Sequence, residues 1–193
     1  AGPCAAVGVV IADLDGDHDP DVLVLADGSE PILLDNDRLL RFRRSVPAWA
    51  AGHAHRWTGG LAFSATHSQR PDLLLTRADG PPFYLGATTR EGYADGTTNA
   101  PALRQAVAVD VDLDGWADVA GVGADGRAAL LHNQAHTKLV YNTQAFGRAN
   151  VWAVAAADLD GDSNPDVLLW GDTGLTLTRN AGNGNRSLVI DPS

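Results

Sequence analysis

Short apolar runs recur along the chain, and each begins directly after an aspartate. The runs are Val22–Leu25, Leu73–Leu75, Val119–Val122 and Val167–Trp170. Apolar runs of this length, bounded by polar loops and turn residues, are typical of β-strands. The preceding aspartates are Asp21, Asp72, Asp118 and Asp166, at intervals of 51, 46 and 48 residues. The chain therefore contains four copies of one unit, which we number in chain order.

The pattern within each copy predicts up to four strands. In the first copy these are Gly8–Ala12, Asp21–Leu25, Pro31–Leu34 and Leu39–Arg44, with a hairpin turn at Asp27-Gly28. In the third copy they are Ala106–Val109, Asp118–Val122, Ala128–His132 and Lys138–Asn142, and in the fourth Val151–Ala157, Asp166–Trp170, Leu175–Thr178 and Ser187–Ile190. The second copy keeps Leu73–Thr76 and Phe83–Leu85, with an outer strand near Thr88–Tyr93.

Four-stranded units of this size are typical of propeller blades. We predict an all-β fold, a β-propeller of about four four-stranded blades. It forms a single domain over residues 1–193, with repeats at about 5–45, 59–95, 104–146 and 150–191. Two arrangements stay open. A closed four-bladed ring is favoured if the chain is complete, because an arc of a larger propeller would expose two apolar blade faces.

The loops before three of the apolar runs follow the pattern D-x-D-x-D-x-x-x-D. Their positions 1, 3, 5 and 9 are Asp13, Asp15, Asp17 and Asp21 in copy one, Asp110, Asp112, Asp114 and Asp118 in copy three, and Asp158, Asp160, Asp162 and Asp166 in copy four. So many uncompensated carboxylates would repel one another, whereas Ca²⁺ takes six to eight oxygen ligands in flexible geometry. The pattern predicts about three calcium ions.

Two departures from the pattern carry expectations. Copy two has Ser64, Thr66 and Ser68 where the other copies have aspartates, so we expect no ion there. The loop glycine stands at position 4 in copies one and four but at position 6 in copy three, which predicts a different loop geometry in copy three. An EF-hand is rejected, because it needs a glutamate at position 12 and flanking helices.

The segments Ala12–Leu25, Val109–Val122 and Ala157–Trp170 resemble the FG-GAP or VCBS repeats of integrin alpha-subunit propellers and of bacterial relatives of cartilage acidic protein. Asn180–Ile190 also resembles the junction that leads into an ASPIC/UnbV domain. The resemblance implies a calcium-binding propeller with side-chain ligands at positions 1, 3, 5 and 9. It also implies a backbone carbonyl ligand at position 7, which is Asp19, Trp116 or Asn164.

Composition agrees with metal loops. The chain has 22 Asp and 2 Glu, and 13 of these 24 acidic residues lie in the three loops. The net charge of −10 argues against nucleic acid and anionic membranes as partners. No apolar run is long enough to span a membrane as a helix. With 13 Arg and one Lys the composition indicates a bacterial source.

We expect an exported protein, extracellular, periplasmic or at the cell surface, with its signal removed, because millimolar calcium would fill modest-affinity sites there. The lone Cys4 is expected to be inert. The histidine pairs His53/His55 and His132/His136 are expected to be solvated loop residues and not zinc ligands.

No catalytic motif is present, so we predict a non-enzymatic interaction or scaffold subunit of an extracellular or envelope assembly. A carbohydrate-binding propeller and a propeller lyase or dehydratase are the alternatives. The insertion Val46–Thr58 is predicted to bind the protein partner through Trp49, Arg56 and Trp57, since long connections carry binding residues. Trp152 and Trp170 are expected to pack between blades.

Overall fold

A computed structural model describes residues 5–38, 41–89, 92–96, 98–134, 138–142 and 145–182. These residues form fifteen strands and a short 3-10 helix at Ala48–Ala50. The strands are β1 (Ala6–Ala12), β2 (Asp21–Ala26), β3 (Ile32–Asn36), β4 (Phe42–Ser45), β5 (Trp57–Phe63), β6 (Asp72–Arg77), β7 (Phe83–Thr89), β8 (Gly92–Gly96), β9 (Leu103–Val109), β10 (Asp118–Gly123), β11 (Ala128–Gln134), β12 (Lys138–Asn142), β13 (Val151–Ala157), β14 (Asp166–Gly171) and β15 (Gly174–Thr178).

The strands form four antiparallel sheets in which consecutive strands are neighbours. The sheets are β1–β4, β5–β8, β9–β12 and β13–β15, which we call sheets one to four. The all-β prediction is confirmed, and the predicted strands coincide with observed ones. The outer strand of copy two lies at Gly92–Gly96, later than predicted. The predicted strand Ser187–Ile190 and Cys4 lie outside the described residues.

The core consists of three apolar layers between successive sheets. Successive side chains of a strand point to opposite faces. In β6, Leu73 and Leu75 therefore pack towards sheet one, while Leu74 packs towards sheet three. The third layer joins β10 to sheet four through Val122 and Leu169. Burial on both faces explains why the second strand of each copy is a continuous apolar run.

The first strands of the four sheets lie side by side in the order β1, β5, β9 and β13. Glycine allows the closest approach. A Cβ atom on Gly60 would lie 2.8 Å from Leu75 Cδ2 and 3.2 Å from Leu25 Cδ1. Because these neighbours belong to the layer between sheets one and two, a larger residue at position 60 would push the two sheets apart.

The row of sheets is open at both ends. Val9 and Ile11 of β1 are 53% and 67% exposed on the side of sheet one that faces away from sheet two. Trp170 and Leu175 are 49% and 58% exposed on the far side of sheet four. The described residues therefore do not form the favoured closed four-sheet ring. The prediction that Trp152 and Trp170 are packed between sheets is wrong, since both rings are half exposed.

Candidate metal centres

The acidic loops join the first and second strands of sheets one, three and four. Positions 4 and 6 have a left-handed backbone in all three loops. The residues are Gly16 and His18 in copy one, Leu113 and Gly115 in copy three, and Gly161 and Ser163 in copy four. The expectation that the shifted glycine changes the geometry of copy three is therefore wrong. Each loop bends at the same two positions, and only the position that carries the glycine differs.

The carboxylate at position 1 organises each loop by accepting backbone N–H groups. Asp13 accepts from Gly16 at 2.7 Å and from His18 at 3.0 Å. Asp158 accepts from Gly161 and Ser163 in the same way, and Asp110 accepts from Asp114 and Gly115. The position 3 and 5 aspartates each accept the N–H of the residue two further on, as in Asx-turns. The loops are thus held by the same carboxylates that could bind a cation.

Three clusters of carboxylates could hold a metal ion. In each of them one oxygen from every member lies within 4.8 Å of the others. The clusters are Asp13, Asp15 and Asp17; Asp110, Asp112 and Asp118; and Asp158, Asp160 and Asp166. Two oxygens bound to one calcium at 2.3–2.6 Å can be separated by at most about 5 Å, so the spacing fits that ion. The clusters do not include Asp21, Asp114 and Asp162, the fourth predicted side chain of each loop.

The residues at position 7 take part in these loops through their backbone. Asp19, Trp116 and Asn164 donate their N–H groups to the position 5 carboxylates at 2.9, 2.8 and 2.9 Å. Their carbonyl groups as metal ligands remain a prediction. The Trp116 ring stacks on His67 of the copy-two loop, with ring centroids 3.8 Å apart. The loops of copies two and three are therefore neighbours on one side of the molecule.

Burial makes several of these carboxylates reluctant to ionise. It raises the pKa of Asp118, and the N–H groups of Asn133 and Val111 offset this only in part. Burial also raises the pKa of Asp15, Asp21 and Asp110. A bound cation would favour the charged forms of these groups. The electrostatics of the loops therefore favour a positive charge among the carboxylates.

Cationic side chains approach each cluster. His132 Nδ1 lies 3.0 Å from Asp118 Oδ1, and its Nε2 lies 3.8 Å from Asp112 Oδ2. The Arg179 guanidinium bonds Asp160, and His18 Nδ1 lies 3.7 Å from Asp13. The expectation that His132 is a solvated loop residue is wrong, since it lies in β11 against two carboxylates. The hairpin turn at Asp125-Gly126 fixes this register and was a usable signal in the sequence.

The loop of copy two replaces a cation by hydrogen-bond donors. Thr66 Oγ1, at position 3, lies 2.9 and 3.1 Å from the two oxygens of Asp72 at position 9. At position 7, Arg70 donates to the carbonyl oxygen of Leu14 at 3.2 Å, and its guanidinium lies 5.1 Å from the centroid of the Tyr93 ring. These donors supply the positive partners that the other loops lack.

The aspartate at position 9 connects three segments in every copy. One oxygen accepts the N–H of position 2, and the other accepts an N–H at or just beyond the end of the third strand. The pairs of donors are Leu14 and Asn36 for Asp21, Ala65 and Ala87 for Asp72, Val111 and Asn133 for Asp118, and Leu159 and Asn180 for Asp166. Because copy two keeps this arrangement, it serves the fold whether or not an ion is bound.

The predicted partner surface is only partly exposed. Trp57 is 2% exposed, packs between sheets one and two, and donates Nε1–H to Ser29 O at 2.8 Å. Its prediction as an exposed binding residue is wrong, because the indole completes the apolar layer. Arg56 is exposed, and its guanidinium lies 4.0 Å from Asp27. Trp49 is half-buried and lines a cavity of about 340 Å³ together with Tyr93 and Arg70.

Comparison with known proteins agrees with the repeat. Residues 110–169, from the third loop to β14, match the family model of the FG-GAP-like repeat. This segment is an FG-GAP-like repeat. The resemblance seen in the sequence is confirmed for this part of the chain, without selecting integrins or relatives of cartilage acidic protein. No curated protein sequence matches the chain significantly.

Solved structures share the fold. One is an Agrocybe aegerita lectin that recognises non-reducing terminal N-acetylglucosamine, with a TM-score of 0.61 and 16% identity over 94% of this chain. Another is the V. cholerae biofilm matrix protein Bap1, with a TM-score of 0.56 and 15% identity over 91% of this chain. The matched regions cover 51% of the lectin chain and 27% of the Bap1 chain. Among the described residues, no helix is long and apolar enough to cross a membrane.

Proposed function

We propose that this chain is a calcium-stabilised, non-enzymatic interaction module. Its four sheets act as consecutive blades of a propeller that docks another protein subunit. The observation that carries this proposal is the recurrence of a three-carboxylate cluster in the same loop of sheets one, three and four. An arrangement repeated on three sheets serves the scaffold, because a catalytic centre needs its groups gathered at one place.

Calcium fits the clusters better than other common cations. The donors are carboxylate oxygens on short turning loops, and calcium accepts many oxygens in variable geometry. Magnesium demands near-ideal octahedral geometry, and zinc prefers nitrogen and sulfur ligands. Asp13, Asp15 and Asp17 would hold the first ion, and the corresponding clusters of copies three and four would hold the others. The ion supplies positive charge that holds each loop together.

An external location follows from the same chemistry. Sites of modest affinity are filled where calcium is millimolar, outside the cell, and are empty in the cytosol. We therefore place the protein outside the cell, in the periplasm or at the cell surface. The lectin and the biofilm matrix protein that share its fold support a binding role, and no geometry favours the lyase or dehydratase alternative.

Calorimetric titration of the metal-free protein with calcium tests the ion count. We expect three ions per chain, because three clusters are present in the described residues. Asp158→Ala should bind two, since it removes a ligand from one cluster. Ser64→Ala is the matched control and should still bind three, because hydroxyl and guanidinium groups already satisfy the copy-two loop. A count of four in the unmodified chain would contradict this account.

A glycan is a second candidate ligand, favoured by the cavity between Trp49 and Tyr93. Aromatic walls with a charged group nearby suit a sugar ring, and the cavity of about 340 Å³ is large enough for one. N-acetylglucosamine-terminated glycans are the probe, since the lectin of the same fold recognises that sugar.

Trp49→Ala should weaken glycan binding at least tenfold, measured by titration calorimetry, because it removes an aromatic wall of the cavity. Trp152→Ala is the control, since this exposed indole lies on sheet four, far from the cavity in sequence. Unchanged melting and calcium stoichiometry would show that the Trp49 variant is folded. Equal binding by both variants, or no binding by the parent chain, would exclude this site.

A further inference from the structure

Each junction between neighbouring sheets combines an apolar layer with one hydrogen bond to a loop. The acceptor is always the carbonyl oxygen at loop position 2 of the earlier sheet. Leu14 O accepts from Arg70 at 3.2 Å, Ala65 O from Asn133 Nδ2 at 2.9 Å, and Val111 O from Asn180 Nδ2 at 2.5 Å. The junctions are therefore built by one rule, although the donor of the second copy is an arginine.

The outer side of sheet one carries one half of such a junction. We call this surface the first face; it comprises Val9, Ile11, Val22, Val24, Ile32 and Leu34, which are cross-strand neighbours. Beside it stands Asn36, the counterpart of Asn133. Asn36 Nδ2 donates to Pro20 O at 3.2 Å, as Asn133 does to Ala117 O at 3.3 Å. The further bond that Asn133 makes to the preceding sheet has no counterpart at Asn36 in the part of the chain described.

The outer side of sheet four carries the other half. This surface, the last face, comprises Ala153, Ala155, Leu168, Trp170, Leu175 and Leu177. Its loop carbonyl at position 2 belongs to Leu159, and no donor from the described residues reaches it. Apolar surface of this extent is uncommon on a free monomer and marks an interaction site.

We infer that the last face of one copy docks on the first face of a second copy, with Asn36 Nδ2 donating to Leu159 O across the contact. A second copy is the occupant because the two faces are matching halves: the first corresponds to the side of sheets two to four that packs on the preceding sheet, the last to the side that packs on the next. Two copies joined at both ends would close a ring of eight sheets, within the usual size range of propellers.

The size of the structural neighbour agrees with this arrangement. The aligned chain covers about half of the lectin, at 51%, so two copies would match its length. The inference rests on the interaction role proposed above and names its partner. It does not depend on calcium, so the two ideas can fail separately.

The mass of the protein in solution tests the contact. Size-exclusion chromatography with light scattering should give about twice the 20.2 kDa of one chain. Ile11→Asp and Trp170→Asp should each give monomers, because each places a charge on one face. Both side chains are exposed, so their replacement should leave folding and the calcium count unchanged. Arg56→Asp is the control, an exposed acidic substitution outside both faces, and should remain a dimer.

Mixing the two monomeric variants tests the direction of the contact. The unaltered last face of Ile11→Asp meets the unaltered first face of Trp170→Asp, so the mixture should regain a dimer through one junction. If like faces docked instead, one variant would stay dimeric alone and mixing would restore nothing, which overturns the inference. A monomeric parent chain at high concentration that still binds three calcium ions would also overturn it and leave the proposed calcium role standing.

Discussion

Excess EDTA should lower the melting temperature of the calcium-loaded protein by roughly 20 °C. A site whose dissociation constant is 100-fold below the free calcium concentration stabilises the fold by about 2.7 kcal/mol. Three such sites contribute about 8 kcal/mol, and in a chain of this size each kcal/mol shifts the melting temperature by about 2–4 °C. The clusters hold the loops between the first and second strands of three sheets, so losing the ions weakens most of the fold.

Variants show whether this loss comes from the acidic loops. Asp13→Ala should lose about a third of the calcium-dependent shift, because one of three clusters is disabled. Ser64→Ala should keep the whole shift, since the copy-two loop is satisfied by its own donors. Differential scanning calorimetry with calcium and with EDTA measures both. The same melting curve in both buffers would contradict the proposed role of calcium.

The fold was predictable where one residue determines both a loop and a strand. Each aspartate at position 9 starts a second strand in the structure, so the spacing of Asp21, Asp72, Asp118 and Asp166 located all four sheets. The apolar runs were continuous because these strands are buried on both faces. The alternating carboxylates likewise located the three clusters, since local turns, not distant packing, bring these side chains together.

Features that depend on packing between sheets were missed. Trp57 was expected at the surface because it ends a long insertion, yet it is the first residue of β5 and lies in the apolar layer. The exposure of Trp152 and Trp170 depends on whether another sheet follows, which no local pattern reveals. The similar bend of all three acidic loops was also hidden, because Leu113, His18 and Ser163 adopt the left-handed backbone without being glycine.

One signal for the junctions was present in the sequence but unused. Asn36, Asn133 and Asn180 follow the position 9 aspartates of their copies by 15, 15 and 14 residues. Their backbone N–H groups bond that aspartate, and the side chains of Asn133 and Asn180 bond the loop of the preceding sheet. An asparagine at a fixed distance from a repeated aspartate thus indicates contact between neighbouring units.

Asp72→Ala should destabilise the protein by about 5 kcal/mol with or without calcium. Its carboxylate is fully buried and accepts backbone N–H groups from Ala65, Thr66 and Ala87 at 2.7, 2.8 and 2.7 Å. Alanine would leave these three donors without an acceptor, and each unsatisfied buried donor costs about 1–3 kcal/mol. Denaturant unfolding in calcium and in EDTA gives the two values. Asp72→Asn keeps one acceptor oxygen, so it should lose about half as much and provides a measurable variant if alanine prevents folding.

Asp13→Ala is the contrasting control, because it belongs to an acidic cluster and its hydrogen bonds are exposed. Its cost should be about 3 kcal/mol in calcium and about 1 kcal/mol in EDTA, since most of its effect passes through the ion. The two variants therefore separate the two roles of aspartate in this repeat: position 9 joins strands through backbone hydrogen bonds, and position 1 holds the cation. If the cost of Asp72→Ala disappeared in EDTA, Asp72 would be a metal ligand, and copy two would bind an ion through an arrangement that the hydroxyl of Thr66 does not replace.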